Sequence, residues 1–115
     1  METFDIEEIW AQRREMAEQT ITLSTVALVR TEVEKIFEGN NSHPWFRTCL
    51  DFLDGHATEP VLCGKLPENG AFIYFPRANQ GIWYRFGGKL EAVGTIGPQG
   101  LQALSEIAAS KDINR

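Results

Sequence analysis

The stretch from Phe72 to Ile96 restricts the folding of this chain more than any other. Phe72, Ile73, Tyr74 and Phe75 form one aromatic and β-branched run, and Ile82, Trp83, Tyr84, Arg85 and Phe86 form a second. Gly87 and Gly88 join the second run to a third, Lys89 through Ile96. Rings and β-branched side chains suit a pleated surface, and a Gly-Gly pair supplies the positive φ of a tight hairpin. The stretch therefore reads as the centre of an antiparallel sheet.

A two-residue hairpin at Gly87 and Gly88 pairs Phe86 with Lys89, Tyr84 with Glu91, and Ile82 with Val93 on one face. The other face then carries Trp83, Arg85, Leu90, Ala92 and Ile96, which makes it the natural seat for helices. Arg85 is the misfit there. Its stem should pack near the hairpin end while the guanidinium reaches water or a carboxylate. The Ile82, Tyr84 and Phe86 face mixes aromatics with Lys89 and Glu91, as a half-exposed surface does. Helices on both sides of the sheet would instead make those aromatics core.

Upstream, the periodicity is helical. Asp5 and Glu8 have capping-box spacing, and Ile6, Ile9, Trp10, Met16 and Ala17 share one face of a first helix. A second helix spans residues 24–38, with Val26, Val29, Val33, Ile36 and Phe37 at intervals of three and four and Gly39 as C-cap. Thr20 to Thr25 alternates and is β-branched, so it fits a short strand, a break, or the opening of that helix. Ser42 caps a third helix carrying Trp45, Phe46, Cys49, Leu50, Phe52 and Leu53, with Pro44 in its first turn. Asp54 and Gly55 end it.

Strands are expected at about 61–66, 71–75, 82–86 and 89–96. Pro67, Glu68, Asn69 and Gly70 form a turn sequence between the first two. Gly97 and Pro98 break the sheet, and a C-terminal helix follows Gly100 with Leu101, Leu104, Ile107 and Ala108 on one face. The fold expected is α+β: three N-terminal helices, a four-stranded antiparallel meander and a C-terminal helix, in one globular domain over residues 1–115.

Composition narrows the function classes. No apolar run approaches the ~18 residues of a membrane span. The acidic N-terminus lacks the pattern of a secretory signal. Cys49 and Cys63 are the two cysteines, expected as free thiols in a cytoplasmic protein. Sixteen Asp and Glu stand against eleven Lys and Arg, giving a net charge of −5. That charge disfavours a phosphate backbone and favours a basic protein partner.

Reactive constellations are missing. His43, Cys49, Asp54 and His56 match no standard zinc spacing. No Gly-x-Ser-x-Gly elbow occurs, and neither cysteine has a histidine in a recognisable motif. Gly94, Gly97 and Gly100 precede a helix but lack G-x-G-x-x-G spacing and a Walker lysine. No catalytic residue, metal ligand or cofactor is assigned.

The candidate binding residues are Tyr74, Arg77, Tyr84, Arg85 and Glu91, aromatics and charges on sheet and loop. The reading is a small, acidic, non-enzymatic protein that inhibits or neutralises a basic protein, as an immunity protein or anti-defence factor does. One alternative is a metal-free ribonuclease-like enzyme using His43 or His56 with Arg77, Tyr84 and Arg85. Another is a homodimer formed through the aromatic sheet face.

Overall fold

The computed structural model describes residues 19–38, 42, 44–66, 70–86 and 90–110. The helix expected to open at Asp5, the C-cap at Gly39, His43, the Gly87 and Gly88 turn, and Lys89 lie outside them.

The chain is α+β with an antiparallel sheet. In order come β1 (Thr22–Thr25), α1 (Val26–Ile36), α2 (Pro44–Asp54), β2 (Pro60–Leu66), β3 (Gly70–Phe75), β4 (Gln80–Phe86), β5 (Leu90–Thr95) and α3 (Pro98–Ser110). The sheet has five strands in the order β1-β2-β3-β4-β5, not four. The additional strand is the ambiguous segment before α1. Thr22 pairs with Cys63 and Thr25 with Pro60, so its identity is fixed by a partner far along the chain. Four residues give too little alternation to reveal such pairing. Thr25 then ends the strand and starts the helix, its hydroxyl accepting from the Leu28 N–H at 3.3 Å as the N-cap.

The β4–β5 pairing also differs from expectation. Tyr84 lies opposite Val93 and Ile82 opposite Thr95, two residues along from the two-residue-hairpin register. Phe86 pairs with Leu90, and the register shifts between Arg85 and Phe86. Glu91 is therefore the extra residue of a β-bulge, not the partner of Tyr84. As far as Arg85 the slip is two, which keeps Ile82, Tyr84 and Val93 on one face and Trp83 and Ala92 on the other, so that division survives the wrong register until the bulge.

Helices cover both faces. On one, Val26, Val29, Val33 and Phe37 from α1 and its end, with Cys49, Leu50 and Leu53 from α2, pack on Val61, Ile73, Phe75, Ile82 and Val93. On the other, Leu104, Ile107 and Ala108 of α3 pack on Leu62, Phe72, Tyr74, Trp83, Ala92 and Ile96. The expectation is thus corrected in its assignment. The helix pair from the first half sits over the Ile82 face, and α3 sits over the Trp83 face. Pro98 opens α3, where its missing N–H costs nothing, and Gly100 lies inside it.

A row across four strands explains how α3 approaches so closely. Gly64 pairs with Phe72, Phe72 with Trp83, and Trp83 with Gly94. A Cβ at Gly94 would stand 2.7 Å from the Trp83 ring, and one at Gly64 would stand 2.4 Å from the Phe72 ring. The rings lie flat over positions that have no side chain, giving α3 an even platform.

Candidate functional site

The five residues singled out from the sequence do not form one patch. Tyr74 has no exposed surface, and its hydroxyl donates to Asn79 Oδ1 at 2.8 Å. Asn79 holds a positive φ of 49° at the end of the turn between β3 and β4, and Arg77 is exposed on that same turn. Tyr84 lies opposite Ala71, three residues back along β3 from Tyr74, about 10 Å away at strand rise. It also faces the α1 side, whereas Tyr74 faces α3. The structure does bring Arg85 and Glu91 together: Arg85 Nε meets Glu91 Oε2 at 3.1 Å, with the Arg85 side chain 11% exposed. The bulge carries the Glu91 carboxylate to this otherwise misplaced guanidinium.

Tyr84 belongs instead to a groove of about 840 Å³. Its floor includes Cys63, Ala71 and Tyr84, its wall is the Leu28, Glu32 and Lys35 side of α1, and Thr20 and Lys65 form its lip. The groove exists because α1 turns its buried stripe, Val26, Val29 and Val33, to one part of the sheet, while α2 is docked beyond it. Among the described residues, α1 is the helix whose flank lines the groove beside the strand ends near Lys65 and Ala71. Leu28 is 63% exposed on that flank. The stripe Leu28, Glu32 and Lys35 has helical spacing and was readable in the sequence, but the denser valine stripe masks it.

A second feature is the charge of the α1–α2 layer. Arg30 bridges to Asp54 and lies 3.6 Å from Glu34, and Arg47 reaches Asp51 at 3.4 Å. These pairs are exposed and contribute little each, about 0.2–1 kcal/mol.

His56 follows α2 in a turn. Its Nδ1 lies 3.1 Å from Glu59 Oε2, and its ring stacks on Phe75 at 4.7 Å and tilts against Phe52 at 4.9 Å. The rings and the carboxylate fix the imidazole and join the end of α2 to the sheet. Among the described residues no group of three His, Cys, Asp or Glu is placed to hold a metal ion. No helix among them is long and apolar enough to cross a membrane.

No family model, no curated protein and no solved structure matches this chain.

Both thiols are free, and burial raises each from 9.0 to about 11, with Glu32 adding to the effect at Cys63. Burial also raises the Tyr74 and Tyr84 hydroxyls above 10.0. Cys63 is thus a poor nucleophile despite lining a groove. The stability consequence has a definite sign. Between about pH 9 and 11 the unfolded chain releases thiol protons that the folded chain keeps, so stability falls as pH rises, and the tyrosines extend the loss beyond pH 10. Denaturant midpoints measured from pH 8 to pH 11 should decline steadily. The double variant Cys49→Ser, Cys63→Ser should lose less over pH 9 to 10 than the parent. A flat profile would contradict the burial of these groups.

Proposed function

We propose that this protein is a small acidic binding protein with no chemistry of its own, an inhibitor or neutraliser of a more basic protein in the manner of an immunity protein or anti-defence factor. The observation that supports it is the sign of the charge on the α1–α2 layer. Glu32, Glu34, Glu38, Asp51, Asp54 and Glu59 there stand against Arg30, Lys35 and Arg47, whereas α3 contributes Glu106 as its single charge. Among the described residues the acid excess is gathered on this helical layer, on two helices held to the sheet by a shared core. Such a field steers a cationic partner and raises its association rate. The arginines pair weakly enough for a partner's lysines and arginines to compete for the same carboxylates.

The test is a complex with its salt dependence. Tagged full-length protein is exposed to extract of its native host, and the captured species is identified and rebound in purified form. A stoichiometric complex with a basic protein is expected, weakening as salt rises. Asp51→Lys with Glu38→Lys should weaken it at least tenfold and leave the melting temperature within a degree or two, since both sites are exposed. Reproducible cleavage of RNA or DNA by the purified chain, abolished by His56→Ala, would reject the reading in favour of an enzyme. So would a complex indifferent to both salt and charge reversal.

A further inference from the structure

The two exposed large apolar side chains among the described residues, Leu23 at 62% and Leu28 at 63%, stand on either side of one strand. Leu23 lies opposite Leu62, which belongs to the α3-side core, so Leu23 is on that face. Leu28 is in the first turn of α1, over the other face, with its N–H held by Thr25 at the end of β1. It lines the same groove as Thr22 and Ser24 of β1. The strand between the two leucines is the last of the sheet on its side. β1 pairs with β2 along one edge, and alternate residues of a strand direct their N–H and C=O groups to the other edge. Among the described residues no strand takes those groups.

The two ends of the sheet differ. β5 carries Glu91 and the bulge, a charge and an irregularity of the kind that blunt a strand edge. β1 keeps a regular register and has neither charge nor proline, and no side chain from Gln19 to Val29 is charged. A partner selected by charge finds nothing to pair with there. A neutral strand flanked by leucine is complementary to a second copy of itself, because an antiparallel ladder repeats its donors and acceptors under a two-fold axis.

We propose that β1 is the seam of a homodimer, in which Thr22–Thr25 of two copies pair antiparallel about a two-fold axis at Leu23 and join the two five-stranded sheets into one. An axis normal to the sheet sets Leu23 against its counterpart and Thr22 against Ser24. The same axis brings both α1 helices, with their exposed Leu28 side chains, to one side of the joined sheet. This seam is not the aromatic sheet face, where α1 and α2 dock. Four-residue strands with these leucines bury less than the roughly 1,200 Å² of a standard interface, so the dimer is weak and reversible. The inference is independent of the basic-partner reading and responds to salt in the opposite sense. Copies that each carry −5 repel, and salt relieves that repulsion.

Sedimentation velocity of the full-length protein, kept reduced so that its free thiols form no cross-link, reads the mass across a concentration series. The parent should pass from monomer to dimer on concentrating, and further so at higher salt. Leu23→Lys puts like charges together at the axis and should raise the dissociation constant at least about tenfold. The melting temperature of the dilute variant should not move, because the position is exposed. Amide hydrogen exchange gives a reading that needs no substitution: the N–H groups of β1 that point away from β2 should gain protection on concentrating. A parent that stays monomeric at every concentration and salt overturns the proposal. So does a dimer that Leu23→Lys leaves intact, or one that forms with no added protection in β1, because its seam then lies elsewhere. A monomeric chain that captures a foreign extended segment at β1 overturns it too, since the occupant is then not a second copy.

Discussion

Trp83→Ala is expected to cost about 3–5 kcal/mol, the range of large aromatic truncations in a core. The indole is 9% exposed and belongs to the cluster of Phe72, Leu104, Ile107 and Ala108 that fastens α3 to the sheet. Its Nε1 donates to the Thr95 carbonyl at 3.1 Å, and its ring covers Gly94. Removing it leaves a cavity that Gly94 cannot fill, and it deprives a carbonyl of its partner. Small domains hold only about 5–15 kcal/mol in total, so a large share of the stability goes with this one side chain. Urea unfolding followed by circular dichroism measures the loss, with the midpoint moving and the slope retained. Trp83→Phe should cost clearly less, because a ring still spans the glycine. An Ala variant that melts like the parent would show that α3 is not docked through this residue.

Phe75→Ala is expected to cause a loss of similar size, about 3–5 kcal/mol, on the opposite face. Phe75 has no exposure, meets Phe52 edge-on at 5.0 Å, and stacks with His56 at 4.7 Å. It ties the end of α2 and the following turn to the sheet at once. Its truncation should therefore also release the imidazole, visible as a shift of the His56 ring resonances toward solvent-like values. Phe75→Leu should retain most of the stability and lose the stacking. Stability retained in Phe75→Ala, with His56 resonances unmoved, would contradict this packing.

Much of the architecture was legible because it is written in local periodicity. The valine stripe of α1, the aromatic runs of β3 and β4, and the apolar side of α3 each repeat at the spacing of their element. The alternation around Trp83 separated the two sheet faces correctly even with the wrong hairpin register, since a slip of two conserves faces. What the sequence hid was nonlocal. β1 is a strand only through β2, and the bulge at Glu91 depends on how Phe86 meets Leu90. The covering of the Ile82 face depends on where α1 and α2 dock. The candidate residues scattered for the same reason: Tyr74 was grouped with the other aromatics and charges of sheet and loop, while the structure buries its ring on the α3 side and gives its hydroxyl to Asn79. The groove and the acidic layer emerge only when helices far apart from their strands are brought onto the sheet.

The position of β1 sets the order in which this molecule can assemble. The pairs β3–β4 and β4–β5 each close across a few residues, whereas β1 meets β2 only after the whole α1–α2 span from Val26 to Glu59 has been gathered. Closing that span costs roughly 2 kcal/mol more in chain entropy than closing a four-residue turn. Loop entropy therefore favours the short-range pairings among β2, β3, β4 and β5 as early contacts, with the β1–β2 pairing expected later. A chain that assembles in this order exposes Phe75, Ile82 and Val93 before α1 and α2 dock, so substitutions there are expected to change refolding yield as well as stability.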